Sequence, residues 1–167
     1  SDAASNAAQI VLLDSDFSKM PEVVLEGRRV VNNIQTSASL FLVKNIFSIL
    51  TTVFTLIAAN LYPLYPTQLS LLGAFTIGTP AFVLALQPNK ELIRGDFLVN
   101  VILKALPAGL ADFIMLAAIS IHGNILGMSN EQISTVAIVI LLFIGLAALV
   151  RICRPFDGIR ILLCLAL

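Results

Sequence analysis

The sequence predicts a mainly α-helical bundle that crosses a membrane several times and begins with a short α/β piece. The first observation is composition: 58% of the 167 residues are hydrophobic and only 12% are charged, whereas soluble domains are nearer half apolar and a quarter charged. The second is four apolar stretches, each close to the ~20 residues that a helix needs to cross a bilayer. The third is that the lysines and arginines of the loops all lie on the same side of the predicted spans. The net charge of zero argues against a nucleic-acid partner, because no basic excess exists to neutralise phosphates.

The first 33 residues differ from the rest because they are polar, charged and punctuated by turn residues. The apolar run IVLL at 10–13 predicts a buried strand that ends at Asp14. Ser18 as the N-cap and Pro21 in the first turn then predict the start of a long helix. We interpret residues 1–33 as the end of a soluble α/β domain with its stalk, and residues 34–167 as the transmembrane domain.

The transmembrane domain is predicted to contain four complete spans. They lie at 37–59, 68–86, 98–120 and 134–150. A fifth apolar stretch begins at residue 159 but ends with the chain at Leu167, which is too short to cross. We therefore expect the sequence to be part of a longer protein.

Loop charges predict the orientation in the membrane. The connections at 60–67 and 121–133 contain no lysine or arginine. The cations on the opposite side are Lys19, Arg28, Arg29, Lys90, Arg94, Arg151, Arg154 and Arg160. Because positively charged loops remain in the cytoplasm, the N-terminal segment is predicted to be cytoplasmic.

Charged side chains inside the spans are candidates for function, since a charge at bilayer depth is costly unless it is paired. Lys44 in the first span and Asp112 in the third are both expected near mid-depth. The sequence predicts that they pair between the two helices, at most about one water molecule apart. The alternative is that Lys44 acts as a tethered cation in a transport site.

Uncharged polar residues in the first two spans suggest a cation site. Asn45 and Ser48 are three residues apart and share a helical face. The second span contains Thr76, Thr79 and Pro80, and proline removes the helical partner of the Thr76 carbonyl. An opened backbone between Thr76 and Pro80, facing Asn45, would offer oxygen ligands to a hard cation. The alternative is a kink whose carbonyls are satisfied by neighbouring helices.

Two stretches resemble the P-type cation ATPases. The first, AASNAAQIVLLDSDFSKMPEVVLEGRRVVNNIQ, resembles the segment after the hinge motif of their phosphorylation domain and the stalk of their fifth transmembrane helix. The second, LYPTQLSLLGAFTIGTPAFVLALQPN, resembles their sixth transmembrane helix. The form TIGTPAF is similar to one bacterial branch, the cation-transporting ATPases E, which is associated with calcium.

The resemblance assigns only some of the family's ion-binding residues to this sequence. In calcium pumps of this family the fifth helix supplies an Asn, here Asn45, and then a Glu, here replaced by Ser48. The sixth helix supplies Asn, Thr and Asp, of which only Thr76 matches, because Gly73 and Ile77 occupy the other two positions. The predicted metal ligands are therefore Asn45, Ser48, Thr76 and Thr79, with Lys44 and Asp112 as intramembrane charges.

The resemblance implies part of an ATP-driven pump in a bacterial cell membrane. The parent protein would use ATP and Mg²⁺, and its partners would be the lipid bilayer, the transported cation and its own remaining domains. The phosphorylated Asp-Lys-Thr-Gly motif is absent, so no catalytic or cofactor-binding residue is assigned and this chain alone is expected to be inactive. The alternative is a non-enzymatic multi-pass module or channel-like accessory protein.

The same resemblance makes the cytoplasmic loop QPNKELIRGD a bridge to the phosphorylation domain. Its charged residues are Lys90, Glu91, Arg94 and Asp96. They are expected to dock on residues 14–30, where Asp14, Asp16, Glu22 and Arg28 offer complementary charges. A solvated loop is the alternative.

Overall fold

The computed structural model describes residues 6–8, 11, 16–58, 62–86, 89, 91–93 and 95–153. Within these ranges the chain forms helices joined by short connections. They are α1 (Met20–Ala58), α2 (Pro66–Gly73), α3 (Thr79–Ala85), α4 (Phe97–Ile125) and α5 (Asn130–Ile152), with a π-helical turn (Ala74–Gly78) joining α2 to α3. Four units are long and apolar enough to span a membrane: α1, the α2–π–α3 unit, α4 and α5. The four predicted spans are therefore confirmed. The predicted fifth span lies outside the described residues.

The N-terminal piece is helical where it is described. Most of the predicted strand at 10–13 lies outside the described residues, and Val11, which is described, is not in a strand. The described ranges contain no strand at all. The predicted α/β character of residues 1–33 is therefore not seen in this part of the chain.

The long helix α1 is preceded by one 3-10 turn, Phe17–Lys19, which Asp16 caps. The Asp16 carboxylate accepts hydrogen bonds from the Ser18 amide at 3.0 Å and from the Ser18 hydroxyl at 2.6 Å. These bonds hold the pKa of Asp16 below its usual range. The predicted cap, Ser18, is thus wrong by two residues, because a carboxylate is the stronger acceptor for unpaired amides. Pro21 falls in the first turn of α1, as predicted.

Helix α1 is the longest helix and the central one of the bundle. Its 39 residues correspond to about 60 Å, longer than the ~30 Å hydrocarbon core, so the helix continues past the predicted start of its span. It packs most extensively against α4, and α4 in turn packs against α5. Gly109 permits the α1–α4 contact: a Cβ atom placed on it would lie 2.9 Å from Ile46 Cβ and 3.1 Å from the Val43 carbonyl oxygen. Small residues allow this approach between membrane helices.

Two buried apolar clusters hold the four spanning units together. The first consists of Leu40, Ile77, Ala81, Leu84, Leu149, Ile152 and Cys153. The second consists of Phe47, Leu64, Leu116, Ala137 and Leu141. Members of both clusters line one cavity between the helices, so the clusters position the site described below.

The interruption at TIGTP takes a different form from the predicted one. The backbone does not open: Ala74–Gly78 make one π turn, with the Thr79 amide donating to the Ala74 carbonyl five residues back. The flanking residues Gly73, Gly78 and Thr79 all keep right-handed helical angles. Pro80 lies in the first turn of α3, where a missing amide hydrogen is tolerated. A wide turn therefore accommodates the proline without unwinding the helix.

Candidate functional site

The candidate site is a small cavity between the spanning units. Its volume is about 40 Å³, measured as the space open to the centres of water-sized spheres. Its polar lining side chains are Lys44 from α1, Thr76 from the π turn and Asp112 from α4. Gly73 and Gly145 complete one wall, and the rest of the lining is apolar. The fold therefore brings a cation, an anion and a hydroxyl group together inside the bundle.

Asp112 is buried near the middle of α4, with 6% of its surface exposed. Its Oδ1 atom is fully buried and has no hydrogen-bond partner among the described residues. Burying a carboxylate without a partner is strongly unfavourable, so nearly every such group in a folded protein contacts a cation, a donor or water. Asp112 is therefore a candidate functional group at this depth in the membrane.

Lys44 faces the same cavity but does not pair directly with Asp112. The ion pair present among the described residues, between Arg29 and Glu26, lies on the stalk, and no Lys44–Asp112 contact within 4.0 Å accompanies it. The Lys44 ammonium lies beside Gly73, 3.8 Å from the position of a Cβ atom on that glycine. The ammonium therefore lies against α2. The two side chains thus share one cavity without direct contact, and their pairing stays a prediction.

Thr76 is held in the wall of the cavity by one hydrogen bond and one packing contact. Its hydroxyl donates to the Leu72 carbonyl at 2.7 Å, which leaves the oxygen lone pairs available as acceptors. Its methyl group is packed on α5, where a Cβ atom placed on Gly145 would lie 2.6 Å from Thr76 Cγ2. Glycine at 145 is thus what allows the π turn to approach α5.

The other predicted ligands lie outside the cavity. Asn45 and Ser48 are exposed on one face of α1, as their spacing predicted, and Thr52 continues this polar stripe. The Thr52 hydroxyl donates to the Ser48 carbonyl at 2.8 Å, whereas the Asn45 amide makes no hydrogen bond within the described part of the chain. Thr79 is also exposed. Of the four predicted metal ligands, the structure therefore brings only Thr76 into the cavity with the two charges.

Sequence reasoning missed the glycines that shape this site. Gly145 accommodates Thr76 and Gly109 brings α1 close to α4, whereas a Cβ atom at Gly73 would meet the Lys44 ammonium at an ordinary contact distance of 3.8 Å. The available signal was a small residue within each apolar span, which is typical of helix interfaces in membranes. That signal identifies an interface but does not identify the partner helix.

The described part of the loop between α3 and α4 docks on the stalk through side-chain amides. Asn32 Nδ2 donates to the carbonyl oxygens of Glu91 at 3.0 Å and Asn89 at 3.3 Å. Asn33 Nδ2 donates to the Ala85 carbonyl at 2.9 Å. The predicted docking on residues 14–30 through charges therefore differs from this contact, and Asp14, Lys90 and Arg94 lie outside the described residues.

Replacing Asn32 with alanine should release this loop from the stalk. The variant removes the donor to Asn89 and Glu91, so the loop backbone loses its anchor. In the full-length protein we expect amide hydrogen exchange over 89–93 to accelerate about tenfold, equivalent to about 1.4 kcal/mol. Thr36→Ala is the control, because the Thr36 hydroxyl bonds only within its own helix, to the Asn32 carbonyl. Equal exchange in both variants and the parent would contradict docking through Asn32.

Comparison with known proteins identifies relatives over nearly the whole chain. The probable cation-transporting ATPase exp7 of Streptococcus pneumoniae is 37% identical over 96% of this chain. The calcium-transporting ATPase CtpE of Mycolicibacterium smegmatis is 36% identical over 98%. Over a shorter part, 54% of the chain, the P-type sodium-transporting ATPase4 of Toxoplasma gondii is 33% identical.

The match covers only a portion of each relative. The chain spans 22% of the length of both bacterial relatives and 7% of the Toxoplasma gondii protein. No family model matches the chain, and no solved structure matches it significantly. On its similarity to these ATPases over nearly all of its residues, the chain belongs to the family of P-type cation-transporting ATPases.

Proposed function

We propose that this chain supplies the stalk and the ion-pathway helices of an ATP-driven pump that moves a cation, with calcium as the proposed ion, across a bacterial cell membrane. Two supports are the names of the relatives, which include cation-transporting and calcium-transporting ATPases, and the four units able to span a membrane. In this proposal residues 1–33 belong to the cytoplasmic side and residues 34–167 to the membrane. The one-sided loop cations support that orientation.

The observation that carries the proposal is the polar stripe on α1. Asn45, Ser48 and Thr52 lie within the apolar part of α1 and are all exposed from the bundle of described helices. Side chains that hydrogen-bond are unfavourable in contact with lipid, and in membrane proteins they face other helices or a water-filled path. The stripe therefore suits an interface with further helices of the longer protein, where a cation would pass.

The stripe offers neutral oxygen ligands rather than a cluster of acids. Among the described residues no three His, Cys, Asp or Glu side chains come together. The cation site we propose would combine the Asn45 amide oxygen and the Ser48 hydroxyl with ligands from other helices, and Thr76 or Thr79 would contribute only if α2–α3 closes on the stripe. With few carboxylates, such a site would hold one divalent cation rather than two.

ATP and Mg²⁺ would be bound by other parts of the longer protein. Mg²⁺ is held by one or two carboxylates together with phosphate oxygens, so in this proposal it binds where ATP binds. No step of ATP hydrolysis is therefore assigned to this chain's residues. The second candidate function, a non-enzymatic membrane module, is less well supported because the relatives that match nearly the whole chain are named as ATPases.

Replacing Asn45 with alanine in the full-length pump tests the proposal. ATP hydrolysis by the reconstituted protein is measured against the free calcium concentration. A lost amide ligand should raise the half-saturating concentration about tenfold or more, equivalent to about 1.4 kcal/mol. Ser70→Ala is the control: Ser70 is exposed, and its hydroxyl is occupied by the Pro66 carbonyl of its own helix. Unchanged calcium dependence in the Asn45 variant would reject the polar stripe as the ion path.

A further inference from the structure

The cavity between Lys44 and Asp112 contains opposite charges that do not touch. Asp112 is 6% exposed and its Oδ1 has no partner among the described residues, while no contact within 4.0 Å joins it to Lys44. Both side chains nevertheless line the same space of about 40 Å³. A buried carboxylate is unfavourable without a partner, and the Lys44 side chain, which is exposed, lines the same space without touching it.

The size of the gap limits the occupant to small molecules or ions. A water molecule needs about 10–15 Å³ of this kind of volume and at least two polar partners. The cavity therefore has room for about three water molecules, and Lys44, Thr76 and Asp112 supply the partners. A metabolite or a lipid headgroup would not fit in this volume.

The opposite charges of Lys44 and Asp112 determine which small molecule or ion is favourable in the cavity. A metal cation beside Asp112 would be repelled by the Lys44 ammonium, and an anion beside Lys44 would be repelled by the Asp112 carboxylate. Water suits both ends, because its oxygen accepts from the ammonium and its hydrogens are donated to the carboxylate. The Thr76 hydroxyl, whose hydrogen already bonds the Leu72 carbonyl, can accept from the same water.

We propose that ordered water molecules fill this cavity and bridge the Lys44 ammonium to the Asp112 carboxylate, forming a hydrated ion pair between α1 and α4. The pair neutralises both intramembrane charges without direct contact. It is separate from the polar stripe of Asn45, Ser48 and Thr52, because none of those three side chains lines the cavity. The inference does not depend on the proposed pump function.

The first test is a double-mutant cycle on the full-length protein in detergent. Lys44→Met leaves Asp112 without its cation, and Asp112→Leu leaves Lys44 without its anion. Each should lower the melting temperature by about 5 °C or more, because a charge within a membrane span that loses its counter-charge is unfavourable. The double variant should lose clearly less than the sum of the two single losses. Lys104→Met, on an exposed α4 position outside the cavity, should leave the melting temperature unchanged.

The second test observes the water molecules directly and does not depend on the stability of the variants. A map of the full-length wild-type protein that resolves water should contain density within hydrogen-bond distance of both Lys44 Nζ and the Asp112 carboxylate. Additive single losses in the cycle would overturn the proposal. Direct Lys44–Asp112 contact, an empty cavity, or density with the short distances of a coordinated metal would overturn it independently.

Discussion

Replacing Gly109 with leucine should prevent the bundle from assembling. A Cβ atom alone at this position would lie 2.9 Å from Ile46 Cβ and Cγ2 and 3.1 Å from the Val43 carbonyl oxygen. One of these neighbours is backbone, so the contact can be relieved only by moving α1 away from α4. Those two helices share the most extensive packing in the described chain. Leucine adds three further carbons to a space that does not hold one.

Graded substitutions at 109 measure how closely the helices approach. We expect Gly109→Ala to cost about 1–3 kcal/mol, the usual range for overpacking, and Gly109→Leu to leave little monodisperse protein on size-exclusion chromatography. Gly27→Ala is the matched control, since Gly27 lies on the same helix α1 and a Cβ there meets nothing within 4 Å. That control should be neutral or slightly stabilising, because alanine favours helix over glycine by about 1 kcal/mol. Wild-type behaviour of Gly109→Leu would contradict the close α1–α4 approach.

The membrane spans were predictable from the sequence because their cause is local. Hydropathy over about 20 residues determines whether a segment can cross a bilayer, and it does not depend on which neighbour the helix meets. The second span was predicted at 68–86 and is observed over Pro66–Ala85; the fourth was predicted at 134–150 and is observed over Asn130–Ile152. The remaining differences are extra turns at the ends, where polar capping residues such as Ser129 extend the helix beyond the apolar run.

The pairing of Lys44 with Asp112 was predictable in part. Their depth in the membrane follows from counting residues, and the structure places both in one cavity. Their separation depends on interhelical distances, which small residues such as Gly109 help to set. The ammonium lies beside Gly73, a residue whose role the sequence alone does not reveal. The sequence therefore identified the two groups but not the space between them.

At the interruption around Pro80, the sequence motif predicts that the helix is irregular, but packing against neighbouring helices determines the form of the irregular turn. Gly78 and Pro80 correctly marked an irregular turn, because proline cannot continue the α-helical hydrogen bonds. Whether the irregularity becomes an opened loop or a π turn depends on the neighbours of the segment. Here Thr76 is buried and packed on Gly145, which keeps the backbone helical. Sequence spacing along one helix contains no information about that contact with α5.

Replacing Gly145 with alanine should displace the π turn and should be rescued by a change in Thr76. The new Cβ atom would lie 2.6 Å from Thr76 Cγ2 and 3.1 Å from Thr76 Cβ, whereas the Thr76 hydroxyl oxygen would be 3.6 Å away, an ordinary contact. The clash is thus chiefly with one methyl group. We expect Gly145→Ala to destabilise the full-length protein by about 1–3 kcal/mol, measured by thermal unfolding in detergent.

Thr76→Ser removes that methyl group while keeping the hydroxyl that donates to the Leu72 carbonyl. Alone, it should cost about 1 kcal/mol, the value of one buried methyl or methylene group. Combined with Gly145→Ala, it should recover most of the loss, so that the double variant is more stable than Gly145→Ala alone. Thr76→Val provides the contrast: it keeps the methyl group at the clash, removes the hydroxyl, and should not rescue. Equal rescue by serine and valine would mean that the methyl contact with α5 is not what fixes the turn. Rescue by serine alone would establish that the shape of the cavity wall depends on the fit between a threonine methyl group and a glycine on the neighbouring helix.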